Sequence, residues 1–384
     1  MPQPDKTAAL RLLPGDPAPG FFAPTTTNPR FNFASVAGRY VVLAFLGPAS
    51  GPASAKAVLA LRAAQAEGLL DDENAAGFAV SIDPADAVAG LRDVLPGLRV
   101  FLDRDGAVSR RYGLLMPAEA AGGEVRYLPA AFLLDPLLRV IAAVPLARLS
   151  ELLGMLRRLP PAAQHAGQET PAPVLLLPRV LEPALCQRLI ALYEADGGQE
   201  SGFMVERDGK TVGVHNPAHK RRRDCTITDP ALQAAIRARI ARRIAPEMRK
   251  AFQFAPTRIE RYIVACYDGA EGGHFRAHRD NTTPGTAHRR FAVTINLNED
   301  FEGGELWFPE FGRRRYRPPA GGAVVFSCSL LHEATPVTSG RRYAVLPFLY
   351  DEAAARIREE NRGSLVQEEA EATAGTLPAA AVGG

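Results

Sequence analysis

GHFRAHRDN (273–281) sets His278 two residues before Asp280; His332 stands fifty-two residues past Asp280, and Arg342 ten beyond that. Two histidines and one carboxylate are the donor set of a facial triad, which holds non-haem Fe(II) from one side and leaves the other side open. In a β-strand, residues i and i+2 point the same way, so one strand end can offer both His278 and Asp280 to one metal. His332 must then come from a distant strand, which suits a closed double-stranded β-barrel. A lone H-x-D arises often by chance, so its weight rests on its surroundings.

Outward from that stretch, the chain from 258 on reads as short strands: RIERYIVACYD, GHFRAHRD, RRFAVTINLNE, GGELWFPEF, GGAVVFSC and RRYAVLPFLYD. Gly, Pro and Asn-rich turns separate them, the pattern of an all-β barrel or sandwich. Before them, LEPALCQRLIALYEA (181–195) and DPALQAAIRARIARRIAPEMRKAF (229–252) carry apolar residues at helical spacing. The first half alternates differently. YVVLAFL (40–46), FAVSID (78–83), VFLD (100–103), and AAFLLD with RVIAAV (131–144) read as strands, with helices near 54–68, 85–94 and 150–158. Strands alternating with helices indicate an α/β domain. PPAAQHAGQETPAP (160–173) is Pro/Ala-rich and aperiodic and reads as a linker. The acidic, then Ala/Gly-rich end (363–384) reads as a disordered tail.

Composition agrees with two domains, because 384 residues exceed one ordinary core. With 47% apolar and 23% charged residues, the chain has the make-up of a soluble globular protein. A net charge of +3 gives no argument for nucleic acid or an anionic membrane. No apolar stretch approaches a membrane span, and MPQPDKTAALRLLPGDPAPG lacks the basic start and apolar run of a secretory signal. Cys186, Cys225, Cys266 and Cys328 lie in the second half without a close pair, which is neither a disulfide framework nor a zinc spacing. They are read as small core residues. A reduced, cytoplasmic protein is expected.

Residues 174–352 resemble the prolyl-4-hydroxylase-like branch of the Fe(II)/2-oxoglutarate dioxygenases. VACYDGAEGGHFRAHRDN (264–281) is similar to the family's Tyr and glycine-rich loop before the iron-binding H-x-D. FAVTINLNEDFEGGELWFPE (291–310) is similar to its central strands, and GGAVVFSCSLLHEATPVTSGRRYAVLPFLYDE (321–352) to its closing segment. The resemblance implies a jelly-roll double-stranded β-helix with flanking helices. It implies Fe(II) on His278, Asp280 and His332, and the distal carboxylate of 2-oxoglutarate on Arg342, with Tyr267 donating to the same carboxylate and Asn296 nearby. Arg341 competes for the anchoring role. Arg342 is favoured because it directly precedes Tyr343-Ala344, and because neighbours in a strand face opposite ways. Ascorbate dependence also comes with the family. His274, His288, His215 and His219 match no family position and are read as ordinary. Lys220-Arg221-Arg222-Arg223 is read as a solvated loop, with substrate gating or acidic-substrate binding as the alternative. Trp307 is read as strand packing.

Residues 12–160 resemble the peroxiredoxin branch (alkyl hydroperoxide reductase and thiol-specific antioxidant) of the thioredoxin-like fold. LLPGDPAPGFFAPT, FLDRDGAVSRRYGL and LPAAFLLDPLLRV carry the likeness. Here the family pattern breaks. In FLGPASGPASAKA, Ser54 stands where the peroxidatic Cys would be and Gly51 where the usual Thr would be. Serine cannot replace a thiolate, whose accessible pKa provides the nucleophile. The domain is expected to be redox-inactive, with an interaction or scaffold role. Leu128–Pro129 is expected to be cis, as is frequent before this strand in thioredoxin-like folds.

Taken together, the chain is expected to be a 2-oxoglutarate-dependent dioxygenase hydroxylating a protein, peptide or small-molecule substrate, with release of succinate and CO2. A prolyl residue is among the candidates. No nucleic acid or membrane partner is expected, and homodimerisation through residues 12–158 is. Two rivals stand beside this reading: a metal- and 2-oxoglutarate-binding sensor without turnover, and a thiol peroxidase. Residues 161–173 would link the domains.

Overall fold

The computed structural model describes residues 12–88, 90–116, 126–365 and 375–376. The chain divides into two compact units. One comprises Met1–Pro171 with Pro309–Arg313, the other Ala172–Phe308 with Arg314–Gly384.

In the first unit, YVVLAF forms strand β1 (Tyr40–Phe45), buried at all six positions. A continuous apolar run suits a strand covered on both faces. It pairs in parallel with β2 (Ala75–Ser81), and β2 with β3 (Leu98–Leu102). On its other side β1 pairs antiparallel with β4 (Ala130–Leu134), and β4 with β5 (Val140–Pro145). The order β3-β2-β1-β4-β5 makes a thioredoxin-like sheet. Helix α1 (Pro52–Ala66) opens on Pro52, where a missing N–H costs nothing. Its Ala57, Leu61 and Ala64 meet Leu149, Leu152, Leu153 and Leu156 of helix α2 (Leu149–Leu156) over one face of the sheet. Phe21, Phe33, Phe78 and Phe101 form an aromatic cluster, with centroids 4.6 Å apart for Phe21–Phe33 and 5.2 Å for Phe78–Phe101.

Three expectations are corrected here. The helix expected over 85–94 is the single turn Pro84–Val88. Gly90 turns away at φ 91, and Asp93 is held by Thr25, Thr27 and the N–H of Val100. Leu128–Pro129 is trans, the commoner isomer even before proline, and Pro129 O accepts from Leu146 N–H at 3.1 Å. The start of the expected linker is packed: Ala162–Gln164 is a 3-10 turn, and Ala162 is buried with its N–H on Asn74 Oδ1 at 2.8 Å.

The second unit is a double-stranded β-helix. Strands β6 (Lys220–Arg221) and β7 (Arg223–Thr226) run consecutively but belong to different sheets. β6 pairs with β10 (His274–His278) in the smaller sheet, and β7 pairs with β9 (Ile263–Asp268) in the larger. The larger sheet continues from β9 through β15 (Val337–Val345), β11 (Phe291–Asn296) and β16 (Phe348–Tyr350) to β8 (Arg258–Glu260). There β13 (Ala323–Ser327) also pairs with β11. The smaller sheet continues from β10 to β14 (His332–Ala334) and β12 (Leu306–Trp307).

Helices α3 (Pro183–Asp196), α4 (Pro230–Arg239) and α5 (Ala245–Phe252) pack Leu189, Tyr193, Leu232, Ile236 and Met248 against Val264, Cys266, Val293, Ile295 and Val345 of the larger sheet. Between α4 and α5, Ile240–Ile244 is a π turn: Ala245 N–H reaches back five residues to Ile240 O, next to Pro246, which has no N–H to offer. The period of two in β9 turns Val264 and Cys266 toward the helices. Ile263, Ala265 and Tyr267 turn the other way, into the barrel.

Of the expected tail, Gly363 and Ser364 close a 3-10 turn and Gly375–Thr376 pair with Arg258–Ile259. Residues 366–374 and 377–384 lie outside the described residues. No helix among the described residues is long and apolar enough to cross a membrane.

Leu152 is wholly buried. Leu152→Ala is expected to cost about 2–5 kcal/mol, read as a lower denaturant midpoint for the first unit while the transition of the second is unchanged.

Candidate functional site

β10 ends on His278, β14 begins on His332, and the pairing of the two strands sets these residues opposite one another. Asp280 lies beyond the strand end, in a turn. Strand alternation therefore does not aim it. Its N–H donates to Cys328 O at 3.0 Å, which ties the turn to the end of β13. The carboxylate then lies 3.5 Å from His278 Nε2 and 3.4 Å from His332 Nε2. The donor atoms of all three residues lie within 4.8 Å of one another.

Each imidazole has its Nδ1 against a backbone carbonyl, Arg276 O at 2.8 Å for His278 and Leu330 O at 3.0 Å for His332. A proton on Nδ1 leaves the Nε2 lone pair facing Asp280, the tautomer a metal ligand needs. Burial, then the neighbouring His332, pushes His278 down to about 4. Burial opposes ionisation of Asp280, but His332 and His278 hold its carboxyl below the usual range. A neutral imidazole and an ionised carboxylate thus stand beside a second imidazole. Donors about 2.1 Å from one cation lie roughly 3 Å apart at right angles, so the observed spacing fits a first-row divalent ion after a small closure. Phe275 stacks on His278 at 3.5 Å between centroids, and Phe326 meets His332 edge-on at 4.6 Å.

Arg342 and Arg341 face opposite ways on β15. Arg341 is half exposed and pairs with Asp268 at 2.8 Å and Glu194 at 3.5 Å. Arg342 is 3% exposed, and its Nε donates to Asn296 Oδ1 at 3.1 Å. Its guanidinium lies 5.2 Å from the centre of the Tyr267 ring, directly across the strand pair. It forms no ion pair with a carboxylate among the described residues, and burial lowers its pKa. Asn296 Nδ2 donates to Pro318 O at 2.9 Å, which fixes the amide. Arg342, Tyr267 and Asn296 are therefore one buried polar group.

The basic run at 220–223 is not a solvated loop. It forms the strands that pass from one sheet to the other, and the period of two buries Lys220 and Arg222 while Arg221 and Arg223 stay exposed. Arg222 donates to Asp224 from Nε at 2.7 Å and Nη2 at 2.6 Å, and from Nη1 to Tyr267 Oη at 3.3 Å. Ser201 Oγ bonds Asp224 at 2.5 Å and receives Lys220 Nζ at 2.7 Å. The signal for this network was the alternation in Lys220-Arg221-Arg222-Arg223-Asp224, with every second residue facing the barrel.

A second buried ionic group forms behind Asp280. Glu260 accepts from Arg289 at 2.7 Å and lies 2.6 Å from His288 Nε2, and Arg289 also reaches Asp280 O at 3.4 Å. His288 is thus a structural residue of this turn. His274 Nδ1 lies 2.8 Å from Gly272 O, and His219 packs on Phe203 and Phe275. Neither they nor His215 belongs to the candidate cluster of His278, Asp280 and His332. Trp307 lies under Arg315, whose guanidinium is 4.0 Å from the ring centre. All four cysteines are buried and free; burial pushes Cys186, Cys225 and Cys266 up to about 11, and Cys266 faces the helices. In the first unit Ser54 is buried in the first turn of α1.

The comparisons with known proteins fall on the same two regions. Residues 262–350 match the 2OG-Fe(II) oxygenase superfamily. Residues 14–143 match the AhpC/TSA family. A PKHD-type hydroxylase of Polaromonas sp. is 29% identical over 205 residues, covering 49% of this chain and 82% of that protein. One from Synechococcus sp. is 31% identical over 107 residues, 26% of this chain and 47% of that protein. One from Paracoccus denitrificans is 41% identical over 83 residues, 19% and 37% respectively. The chain spans about half the length of the first curated relatives it matches. Among solved structures, a Trichoplax adhaerens prolyl hydroxylase in complex with a hypoxia inducible factor peptide aligns at 18% identity and TM-score 0.37, covering 49% of this chain and 86% of that one. The peroxidoxin BcpB of Mycobacterium tuberculosis aligns at 18% identity and TM-score 0.32, covering 39% and 99%.

Burial opposes ionisation of Asp224 too, but Arg222 and then Lys220 hold its carboxyl at about 2, below its ordinary 3.8. A depressed folded value stabilises the fold above the ordinary value and ceases to do so as pH falls through the folded one. Asp224→Asn is therefore expected to lower stability at neutral pH. In denaturant melts across pH, the advantage of the wild type is expected to shrink as pH falls from about 4 toward 2.

Proposed function

We propose that the second unit is an Fe(II)- and 2-oxoglutarate-dependent dioxygenase that hydroxylates an organic substrate. The observation that carries this reading is the convergence of His278, Asp280 and His332; the same unit holds a buried arginine, Arg342, that pairs with no carboxylate among the described residues. In this reading the three hold Fe(II), and Arg342 receives the distal carboxylate of 2-oxoglutarate. When bound, the metal and 2-oxoglutarate supply O2 activation coupled to decarboxylation, giving succinate, CO2 and a hydroxylated product. The match to the oxygenase superfamily and the likeness to PKHD-type hydroxylases support the same chemistry.

The chain's own residues prepare the site. Asn296 Oδ1 accepts a hydrogen bond from the Nε–H of Arg342, which orients the guanidinium plane and leaves its terminal N–H groups for a planar carboxylate. Tyr267 Oη accepts from Arg222, so its own proton is free to donate to the same carboxylate. Ala265, Phe301, Ala334, Val337 and Ala344 wall the interior with apolar surface, which keeps water away and strengthens these contacts. The first unit has no cysteine in the region that matches the AhpC/TSA family. We propose a non-catalytic, interaction role for it.

Asp280→Ala is expected to abolish both iron retention, read by metal analysis, and succinate release. Arg342→Ala is expected to weaken 2-oxoglutarate binding by the order of 3–5 kcal/mol typical of breaking a buried charge pair. Arg341→Ala, on the outer face, is expected to change it little; the reverse ranking in a calorimetric titration would move the anchor to Arg341.

A further inference from the structure

We infer that the Gly303–Gly304 turn sets the length of 2-oxo acid that the site accepts: Gly304, by having no side chain, seats the stem of Arg342 and so fixes the reach of its guanidinium. This rests on the iron and 2-oxoglutarate reading above.

Asn296 holds the head of Arg342, and the turn holds its stem. The segment Phe301–Gly303 pairs with the first half of β15, Phe301 opposite Gly340 and Gly303 opposite Val337, with a register shift between Glu302 and Gly303. Gly303 and Gly304 then hold φ 72 and φ 65, the left-handed region in which a side chain is strained. Gly303 lies against the carbonyl of Pro336, and Gly304 N–H donates to that oxygen at 3.1 Å. Backbone contact therefore accounts for the first glycine. Side chains account for the second. A methyl on Gly304 would stand 2.8 Å from Val337 Cγ2, 3.1 Å from Arg342 Cδ and 3.5 Å from Phe301 Cε2. Carbon atoms in comfortable contact stand roughly 3.5–4.0 Å apart. Val337 and Phe301 are buried in the barrel's apolar cluster and have little room to yield. The long, flexible stem of Arg342 takes up the displacement.

The same turn leads directly to the other end of the site. Glu305 follows it, and Thr335 donates to Glu305 twice, from N–H to the carbonyl at 2.9 Å and from Oγ1 to the carboxylate at 2.9 Å. Leu306, two residues after Gly304, opens β12 opposite Ala334 of β14, the strand that His332 begins. The seat of the arginine is thus joined by a short, pinned connection to the strand paired with that of His332. A cosubstrate held at one end by the three ligands and at the other by Arg342 spans the gap that this connection holds constant. A guanidinium fork grips a carboxylate only over a narrow range of distance and angle. Displacing the stem therefore changes which chain length fits.

The test uses the full chain loaded with Mn(II) in place of iron. It is titrated by calorimetry with 2-oxoglutarate, with 2-oxovalerate, which lacks the distal carboxylate, and with 2-oxoadipate, which is one methylene longer. The wild type is expected to bind 2-oxoglutarate most tightly. Gly304→Ala is expected to weaken 2-oxoglutarate by roughly tenfold or more, the loss of a charge-assisted contact, and to narrow the preference over 2-oxoadipate. Its affinities for Mn(II) and 2-oxovalerate are expected to stay as they are. Gly209 holds φ 72 with nothing within 4 Å of an added methyl, so Gly209→Ala carries similar backbone strain without the contact. It is expected to lower stability and leave every affinity unchanged. Gly304→Ala/Val337→Ala is expected to regain 2-oxoglutarate affinity while losing further stability, because the added methyl can occupy the space that Val337 gives up. Equal losses for 2-oxoglutarate and 2-oxovalerate, the same loss in Gly209→Ala, an unchanged length preference in Gly304→Ala, or no recovery in the double variant overturns the proposal. Should Gly304→Ala not fold, Val337→Ala alone decides, because it loosens the same seat: an unchanged preference among the three acids overturns the proposal. A wild type that takes up no Mn(II), or binds 2-oxoglutarate no more tightly than 2-oxovalerate, overturns the iron and 2-oxoglutarate reading itself, and this inference with it.

Discussion

Arg222 grips Asp224 through two N–H donors inside the barrel, and both residues come from a short run that leaves one sheet and enters the other. The pair solves a problem set by the fold. A strand that closes a barrel must send every second residue inward, whatever its chemistry. Here those residues are Lys220, Arg222 and Asp224, so the interior has to satisfy them or unfold. The pair fixes Ser201 on one side and Tyr267 on the other. Tyr267 in turn lies against Arg342, which Asn296 holds. Lys220, Ser201, Asp224, Arg222, Tyr267, Arg342 and Asn296 thus form one connected network, and its geometry follows from the run that passes from one sheet to the other.

The cluster of His278, Asp280 and His332 depends on a different constraint. Two histidines face each other across paired strand ends, a geometry any antiparallel pair can offer. The carboxylate is brought in by a turn, held by the backbone bond to Cys328 and backed by the Glu260, Arg289 and His288 group. Two elements of the smaller sheet and one turn anchored to the larger sheet therefore meet at one point.

The first unit keeps its fold for reasons unrelated to redox chemistry. Its sheet and the leucines of α1 and α2 supply the core, and none of them belongs to the loop where a peroxidatic thiol would sit. Ser54 is buried in the first turn of α1, and Asp86 accepts from Ala49 N–H and Ser81 Oγ to hold the loop. A serine at position 54 leaves such a scaffold stable, because the apolar burial that stabilises it lies elsewhere.

Local pattern alone determined much of this protein. The buried run Tyr40–Phe45, the period of two from 258 on, and the order of His278, Asp280, His332 and Arg342 are properties of short segments, and strand geometry carries them into space. The facing of Arg342 against Arg341 is of this kind, since neighbours on a strand must diverge. Tertiary structure decided the rest. Asp280 is aimed by the bond its N–H donates to Cys328 O, forty-eight positions away, which no local period encodes. A run of four basic residues looks solvated because charge normally seeks water. Only the pairing of Lys220 with Phe275 and of Arg223 with Cys266 turns it into a barrel wall and carries its alternate charges inside. Lys220 and Arg222 become buried only once both sheets are assembled, because burial is a property of the folded chain.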